Sequence, residues 1–252
     1  MNPTSADLTG RRALVSGGAS GIGAACVRRL AQTGAHVTVL DVNADEAGQL
    51  AAEVGGAALV ADLTDATATA ALAIDVDILV NNAGIQHVAP VHEFPPEVFN
   101  RILNLMLQAP FLLARAALPA MYERGWGRVI NISSVHGHRA SPYKSAYVAA
   151  KHGLEGLSKV IALEAGGHGV TSNCIAPGYV RTALVEGQIE GQAALRGISA
   201  DDVVEQVMLS ETVIKRLIEP DEVADVAVFL CTSGAAYITG ASIAIDGGWT
   251  AR

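Results

Sequence analysis

Two side chains that can move a proton stand four residues apart in the segment Tyr147–Lys151. Residues i and i+4 of a helix are neighbours on one face, so this spacing places a phenol beside an ammonium group. Tyrosine titrates near pH 10, and a nearby cation lowers its pKa by about 1–3 units, which predicts a usable base near neutral pH. The same spacing often arises by chance in solvated helix pairs. The pair therefore gains weight only from the residues around it.

A hydroxyl group precedes this pair at a suitable place. Ser134 lies 13 residues before Tyr147 and follows Arg128–Ser133, a β-branched run that predicts a strand. Ligands of parallel sheets lie outside the carboxyl ends of the strands. We therefore expect the Ser134 hydroxyl to steady the oxygen on which Tyr147 acts.

A glycine-rich turn precedes the first long helical run. Glycine allows a tight turn and a close approach to a pyrophosphate, and the free N–H groups of the following helix hold negative charge. The spacing G-x-x-x-G-x-G differs from the familiar G-x-G-x-x-G, so a plain glycine-rich turn remains the alternative. The residues expected to contact a dinucleotide here are Gly17, Ser20, Gly21, Ile22 and Gly23.

The second β-branched run ends on a carboxylate, Asp41, 24 residues beyond Gly17. A carboxylate there can accept hydrogen bonds from adenosine ribose hydroxyls and would repel a 2′-phosphate. Neither Val42 nor Asn43 supplies a compensating cation. The sequence therefore predicts NAD rather than NADP, with an ordinary surface carboxylate as the alternative.

Small and polar residues follow the third and fourth runs. Asp62 and Leu63 are expected to border the adenine, and Asn82, Ala83 and Gly84 to lie beside the ribose. A buried Asn81–Asn82 pair that links neighbouring strands is the structural alternative, and both roles can hold together.

Seven β-branched runs alternate with longer helical stretches from Arg12 onward. This alternation predicts parallel strands joined by crossover helices, in a doubly wound, Rossmann-like α/β fold with a seven-stranded sheet. The predicted strands are Ala13–Ser16, His36–Asp41, Ala58–Asp62, Asp77–Asn81, Arg128–Ser133, Val170–Ile175 and Ser242–Ile245. The predicted helices include Gly21–Thr33, Ala44–Val54, Pro96–Glu123 and Lys144–Ala165.

The 252 residues are predicted to form one domain, because no linker or repeat divides them. The helical stretch from Thr182 to Lys215 belongs to no βα unit, and we expect a lid over the site. A net charge of −8 without a Lys/Arg cluster argues against nucleic acid and anionic membranes as partners. The chain has no apolar run of roughly 18 residues, no metal-ligand spacing, and three scattered cysteines, which predicts a reduced cytoplasmic protein.

Taken together, these residues resemble the short-chain dehydrogenase/reductase family over nearly the whole chain. The resemblance implies that Tyr147 is the acid/base, that Ser134 positions substrate, and that Lys151 both lowers the pKa of Tyr147 and holds the nicotinamide ribose. It also implies a homotetramer, to which the apolar stretch Ile238–Trp249 could contribute. The residues that carry the resemblance are Gly17, Gly21, Gly23, Asn81–Gly84, Ser134, Tyr147, Lys151, Pro177 and Gly178, and those implied to contact the nicotinamide amide and phosphates are Val180 and Thr182, just after Pro177-Gly178.

One position departs from the family pattern. Met106 stands where the family usually has a catalytic asparagine, and a thioether cannot support a proton relay. Asn104 lies about 200° around a regular helix from it and points elsewhere. Either Pro110 distorts this helix so that a backbone carbonyl or another group serves, or the relay is absent.

Within the family, several segments resemble the 3-hydroxybutyrate dehydrogenase branch. They are Asn82–Gln86, Ser134–Gly137, Lys144–Tyr147, Leu184–Gln188 and Asp246–Arg252. The resemblance implies that Gln86, His136, Lys144 and Gln188 hold a substrate carboxylate.

The residues agree with a small anionic substrate. Lys144 lies three residues before Tyr147, on the same helix face, and His136 lies two beyond Ser134. A solvated lysine, a loop histidine and surface amides at Gln86 and Gln188 are the alternatives. Tyr179 replaces a tryptophan of some relatives, so the pocket wall differs from theirs.

These observations predict NAD-dependent, reversible oxidation of the 3-hydroxy acid (R)-3-hydroxybutyrate to acetoacetate. Two alternatives remain. One is a short-chain enzyme that acts on another secondary alcohol, such as a polyol, a steroid or a 3-oxoacyl thioester. The other is a non-catalytic protein that senses NAD.

Overall fold

One sheet of seven parallel strands forms the centre of the molecule, as the alternating runs predict. The computed structural model describes residues 6–183, 185–187, 189, 193 and 197–251. Each strand boundary lies within two residues of its predicted place. The strands are β1 (Arg12–Ser16), β2 (His36–Asp41), β3 (Ala57–Val60), β4 (Ile78–Asn81), β5 (Gly127–Ile132), β6 (Val170–Pro177) and β7 (Ser242–Ile245).

The strand order is β3-β2-β1-β4-β5-β6-β7, so the order in which strands are added reverses between β1 and β4. Every pairing is parallel, and the carboxyl ends of all seven strands therefore lie at one edge. A doubly wound sheet opens a crevice where its order reverses. This crevice lies beyond Ser16 of β1 and Asn81 of β4.

Helices cover both faces of the sheet. They are α1 (Gly21–Gln32), α2 (Ala44–Val54), α3 (Ala66–Ala70), α4 (Pro96–Leu103), α5 (Ala109–Arg124), α6 (Ser145–Ala165) and α7 (Pro220–Cys231). Side chains of β1 alternate between the layers, with Ala13 and Val15 in the cluster formed with α1, α2 and α7, and Leu14 in the cluster formed with α5. The two-residue period of a strand thus divides the core into two layers.

The helix ends follow from local chemistry. Asn43 caps α2 by accepting the Glu46 N–H, and Gly55 ends that helix in the left-handed region. At α7, Glu219 and Glu222 form a reciprocal capping box. These signals explain why α2 was predictable to the residue.

Helices α4 and α5 are continuous through a π-helical turn at Asn104–Gln108. The whole stretch Pro96–Arg124 is long and apolar enough to cross a membrane. The core helix of a soluble protein has the same composition, and here Leu113, Ala117 and Met121 are buried in the core cluster beside the sheet.

Part of the predicted lid, residues 182–215, is helical. Ala200–Asp202 form a short helix that continues into a π-helical turn at Val203–Met208. Val185, Val203 and Met208 form a small apolar cluster of their own, against which Tyr179 packs. The movement of this segment over the site stays a prediction.

Candidate active site

A cleft of about 400 Å³ opens at the carboxyl edge of the sheet, where the strand order reverses. Nearly all the residues predicted to contact a dinucleotide line it. They are Gly17, Ser20, Gly21, Ile22, Asp41, Asp62, Leu63, Asn82, Ala83, Gly84, Tyr147, Lys151, Pro177, Gly178, Val180 and Thr182. Sequence positions far apart are thus brought to one surface, and their contact with a cofactor stays a prediction.

Gly23 is the exception, because it lies beneath the turn and does not line the cleft. A Cβ atom there would lie only 2.0 Å from the Gly17 carbonyl oxygen. A Cβ at Gly17 would lie 2.8 Å from the Ala83 Cα, and the φ of Gly17 is +59°. Gly23 is therefore required for close packing of the turn against α1, and its contact with a dinucleotide stays a prediction.

The start of α1 is available to an anion. Ser20 is the N-cap residue, but its side chain makes no capping hydrogen bond, and the first turn carries no acidic residue. Free N–H groups and the positive end of the helix dipole thus face the cleft. This fits the pyrophosphate of a dinucleotide.

The Asp41 carboxylate is fixed at the end of β2. Its oxygens accept hydrogen bonds from the backbone N–H groups of Ala19, at 3.0 Å, and Asn43, at 3.1 Å. The glycine turn and the carboxylate are thereby joined. Asp41 is held at the place where ribose hydroxyls would meet it.

Beyond Asp41, the cleft is bordered by Asp62, Leu63, Thr64 and Arg101. Asp62 accepts hydrogen bonds from both the backbone N–H and the hydroxyl of Thr64, and these bonds lower its pKa. Thr64 and Arg101 were absent from the sequence-based set. Arg101 belongs to α4, and nothing in its local sequence indicates that it reaches this cleft.

The two asparagines after β4 have separate tasks. Asn81 donates to the Asn131 side chain at 2.8 Å and so links β4 to β5 inside the sheet. Asn82 donates to the carbonyl oxygens of Ser16 and Gly17, at 3.1 and 2.9 Å, and it also lines the cleft. The structural link between strands is therefore present, and the place of Asn82 beside the ribose stays a prediction.

The predicted catalytic triplet, which consists of Ser134, Tyr147 and Lys151, lies at the inner end of the cleft. Ser134 hydrogen-bonds to the Tyr147 phenol. Lys151 Nζ lies 5.6 Å from the centre of the Tyr147 ring and donates to the Ile132 carbonyl oxygen at 2.6 Å. Lys151 is only 4% exposed. A phenol, a hydroxyl and an ammonium group thus surround one point, as the sequence predicts.

The expected fall in the pKa of Tyr147 is not found. Burial raises the pKa of Tyr147, and the hydrogen bond from Ser134 only partly opposes this. Removal from water disfavours the charged phenolate, and the Lys151 ammonium is directed at the Ile132 carbonyl rather than at the phenol oxygen. The expectation is therefore wrong for the chain without its cofactor.

Met106 lies within the π-helical turn, is buried, and lines the cleft beside Gly84. The Ala109 N–H bonds to the Asn104 carbonyl, five residues back, which widens the turn. Pro110 has no N–H to give to the carbonyl four residues before it, that of Met106. The helix is thus distorted at this point, as the first of the two interpretations requires, while the Met106 side chain adds only apolar surface.

A second, smaller pocket of about 60 Å³ adjoins the catalytic triplet. It shares Ser134, Tyr147, Gly178 and Val185 with the large cleft. Its other lining residues are Gln86, Val135, His136, Lys144, Tyr179 and Trp249. Three of the four predicted carboxylate-binding residues therefore meet here, and the fourth, Gln188, lies outside the described residues.

Lys144 and His136 differ in charge within this pocket. Burial lowers the pKa of Lys144, yet no carboxylate of the described chain forms an ion pair with its ammonium group, which lies 5.5 Å from the centre of the Tyr179 ring. Burial, reinforced by Lys144 and His152, lowers the pKa of His136 to about 4. His136 is therefore neutral at physiological pH, and Lys144 supplies the positive charge.

Two residues that contact His136 are not predicted by the sequence: Ser141, and Trp249 in the wall of the pocket. Ser141 lies 2.9 Å from His136 Nε2, while His136 Nδ1 is 3.4 Å from Ser134 Oγ, so the imidazole is held from both sides. Trp249 stacks on Tyr179 at 5.8 Å and meets His136 edge-on at 5.6 Å. The Gln86 Oε1 atom is buried without a hydrogen-bond partner, which suits an amide awaiting a ligand.

Residues 17–250 match the family model described as enoyl-(acyl carrier protein) reductase. The chain is also similar to the D-beta-hydroxybutyrate dehydrogenase of Rhizobium meliloti (strain 1021), with 45% identity over 96% of this chain and 99% of the relative. The D-threitol dehydrogenase of Mycolicibacterium smegmatis is 38% identical over 97% of this chain and 95% of its own.

A solved structure gives the same architecture. A protein from Beutenbergia cavernae, proposed to be an NAD(P)-dependent gluconate 5-dehydrogenase, superimposes with a TM-score of 0.87 and 37% identity over all of both chains. That crystal contains NADP at low occupancy. The relatives thus share the fold and dehydrogenase chemistry while their names specify different alcohols.

Proposed function

Since the chain belongs to the short-chain dehydrogenase/reductase family, we propose that it oxidises (R)-3-hydroxybutyrate to acetoacetate, reversibly and with NAD. The observation that carries this proposal is Lys144, whose half-buried ammonium has no carboxylate partner among the described residues, in a pocket of about 60 Å³ beside Tyr147. A buried cation without a counter-ion favours a ligand that carries the missing negative charge. The narrow pocket favours a short acid.

The cleft residues fit the cofactor. The glycine turn and the start of α1 would hold the pyrophosphate, Asp41 the adenosine ribose, and Lys151 with Tyr147 the nicotinamide ribose. When bound, NAD supplies the acceptor for a hydride at its nicotinamide C4.

Tyr147 would carry the proton. The substrate carboxylate would bind Lys144, helped by Gln86, Gln188 and neutral His136, which places the C3 hydroxyl against Ser134 and Tyr147. Tyr147 accepts the hydroxyl proton as C3 gives up its hydride, and the C–O bond becomes a carbonyl. Because burial raises the pKa of Tyr147, the positive charge of Lys151 and of the oxidised cofactor would be needed to stabilise the phenolate.

We further propose NAD over NADP, although the similar Beutenbergia structure contains NADP. A 2′-phosphate would approach the Asp41 carboxylate, which the Ala19 and Asn43 N–H groups hold in place. The negative charges of the phosphate and the Asp41 carboxylate would repel each other, and Val42 and Asn43 provide no cation that would offset this.

A second candidate function is the oxidation of a neutral polyol. It is favoured by the D-threitol dehydrogenase at 38% identity, which retains similarity over nearly the full length. The half-buried Lys144 argues against it, because a polyol would leave that charge unpaired.

The proposed assembly is a homotetramer acting in the cytoplasm, with neither nucleic acid nor membrane as a partner. Large apolar side chains are exposed on α5 and α6, and β7 is an edge strand that pairs only with β6 within the chain. Exposed apolar patches of this kind favour contact between subunits. The three cysteines are buried and unpaired, as a reducing compartment favours.

The test is NADH formation, measured with short 3-hydroxy acids of both hands and with neutral secondary alcohols, each with NAD and with NADP. We expect turnover of the (R)-acid with NAD and its loss in Tyr147→Phe, which should still bind NADH. Preference for a polyol would replace this proposal with the second candidate. Failure of every alcohol would instead favour a non-catalytic NAD-sensing protein.

A further inference from the structure

Glu155 is a buried carboxylate on α6, one helical turn beyond Lys151, and the proposed reaction leaves it without a task. Only 4% of its surface is exposed. Glutamate is rarely so buried unless it is paired, because loss of water disfavours its charge. Its surroundings should therefore show what keeps it there.

Two side chains from other elements hold this carboxylate. The Ser242 hydroxyl of β7 donates to Glu155 Oε1 at 2.9 Å, and His138 Nε2 lies 3.5 Å from the same oxygen. His138 and Ser242 also hydrogen-bond to each other at 2.8 Å. No lysine or arginine of the described residues forms an ion pair with Glu155. The carboxylate is thus held inside the protein by the Ser242 hydroxyl and by His138, which is exposed.

Lys151 is buried to the same extent, and its Nζ bonds to the Ile132 carbonyl rather than to an acid. The titratable groups near it are Tyr147 and Glu155 on α6 and Cys174 on β6. From the cleft side, Met106 contributes no polar atom. Residues i and i+4 of a helix lie about 5–6 Å apart at Cβ, so Glu155 is within electrostatic reach.

Burial and the charges near Lys151 shift the pKa of its ammonium group in opposite directions. Burial lowers the pKa of Lys151 to about 8, and the negative charges of Cys174 and Glu155 oppose that fall. Burial also raises the pKa of the Cys174 thiol, which is therefore uncharged at physiological pH. Of these two groups, the Glu155 carboxylate is therefore the candidate for a negative charge beside Lys151.

We propose that Glu155, held by Ser242 and His138, is a positioning residue that keeps Lys151 in its ammonium form. Glu155 lies one helical turn after Lys151, whereas Tyr147 lies one turn before it, and Glu155 touches no reacting atom. A neutral Lys151 would no longer stabilise the Tyr147 phenolate. The inference rests on the proposed Tyr147–Lys151 chemistry but not on the identity of the alcohol.

Loss of the Glu155 charge should lower the pKa of Lys151. Without the Glu155 charge, burial of Lys151 is less opposed, so the ammonium gives up its proton at a lower pH. An opposite charge within about 4–6 Å shifts a pKa by about 1–3 units. The alkaline limb of the kcat profile should therefore move to lower pH by about one unit.

The experiment compares kcat against pH for the unaltered chain, Glu155→Gln and Glu155→Asp, with the alcohol that it oxidises best. Glu155→Gln should shift the alkaline limb, whereas Glu155→Asp, which perturbs the packing but keeps the charge, should not. Glu164→Gln removes an exposed carboxylate from the same helix and should also leave the limb in place. An unmoved limb in Glu155→Gln, or equal shifts in Gln and Asp, would overturn the inference.

A second measurement needs neither substrate nor turnover. The chain has four lysines, so carbon-13 labelling of lysine gives a simple NMR spectrum in which Lys151→Arg identifies the Lys151 signal. That signal should titrate about one pH unit lower in Glu155→Gln than in the unaltered chain. Should hydroxybutyrate prove not to be the substrate, this titration would still decide the role of Glu155.

Discussion

At the scale of single residues, the proposed choice of substrate depends on Lys144. Its ammonium is the positive charge of the small pocket, since the pKa of His136 is lowered to about 4 and that ring is neutral. A neutral imidazole can donate a hydrogen bond but cannot balance a carboxylate. Selection of acids over neutral alcohols should therefore follow this one side chain.

Lys144→Met should lower kcat/KM for 3-hydroxybutyrate by about 100-fold and leave that for a neutral secondary alcohol nearly unchanged. A hydrogen bond to a charged group contributes roughly 1.5–3 kcal/mol, or about one to two powers of ten. Initial rates with both substrates provide the measurement. Lys159→Met, an exposed lysine on the same helix, is the matched control. An unchanged preference for the acid would show that Lys144 does not bind the carboxylate.

Asp41→Asn should shift the preference between cofactors toward NADP by at least tenfold. Ala19 and Asn43 donate to different oxygens of Asp41, so the amide oxygen of asparagine can still accept one of these two N–H groups while the repelling charge is removed. The ratio of kcat/KM for NADP and NAD reports the effect. Should the ratio stay constant, the Asp41 charge does not select the cofactor.

Residue identity was predictable where chemistry follows from spacing, as for Ser134, Tyr147 and Lys151. It was not predictable where burial decides. The direction of the Tyr147 pKa depends on the loss of water around it, which spacing does not reveal. Glu155 has the local sequence of an ordinary surface glutamate, and its burial arises only when β7 and the segment after β5 close over it.

At the scale of elements, the turn between β1 and α1 shows how closely backbone segments must approach. Gly17 and Gly23 meet with no room for a side chain, whereas Gly48 in the middle of α2 has open space around its Cα. Substitution by alanine should therefore have opposite effects on stability at Gly23 and at Gly48.

Gly23→Ala should lower the free energy of unfolding by about 1–3 kcal/mol, since its Cβ would collide with the Gly17 carbonyl. Gly48→Ala should raise it by about 0.5–1 kcal/mol, because alanine loses less backbone freedom in a helix. Urea denaturation followed by circular dichroism measures both. Equal effects of the two variants would contradict the packing described for the turn.

The π-helical turn between α4 and α5 shows which details of an element the sequence does not predict. The apolar pattern of Pro96–Arg124 predicts one helix, and the chain does form one continuous stretch. Pro110 indicates a distortion near Met106, but not its form. A π turn and a simple kink differ in one hydrogen bond, which depends on packing against α6.

At the scale of the whole molecule, apolar side chains remain on the surface of one helical layer. Leu163 is 86% exposed and Val160 is 49% exposed on α6, and Phe111 is 48% exposed on α5. Since α5 and α6 pack side by side, a second copy that covers this layer would bury all three. This is the surface on which the proposed tetramer can be tested.

Leu163→Glu should reduce the native mass measured by light scattering from that of a tetramer toward smaller species. A carboxylate buried between subunits without a partner costs several kcal/mol. Val91→Glu, at a position that is 77% exposed after β4, should leave the mass unchanged. A tetramer that tolerates Leu163→Glu would place the contact elsewhere.

The architecture as a whole followed from the sequence, because parallel strands and crossover helices leave strong periodic patterns. The seven runs predict all seven strands, and the glycine turn after the first run indicates which edge holds the site. The wall of the small pocket could not be predicted from the sequence, because Trp249 contacts Tyr179 and His136, which lie far from it along the chain. Such a contact depends on where the residues that follow β7 lie in the folded chain.

The stacking of Trp249 on Tyr179 also gives the molecule an optical reporter. The chain has two tryptophans, and the other, Trp126, lies at the amino edge of the sheet between the guanidinium groups of Arg11 and Arg128. Trp126→Phe would leave a single indole, in the wall of the small pocket. Its emission would then record the arrival of an acid in real time, before any hydride has moved.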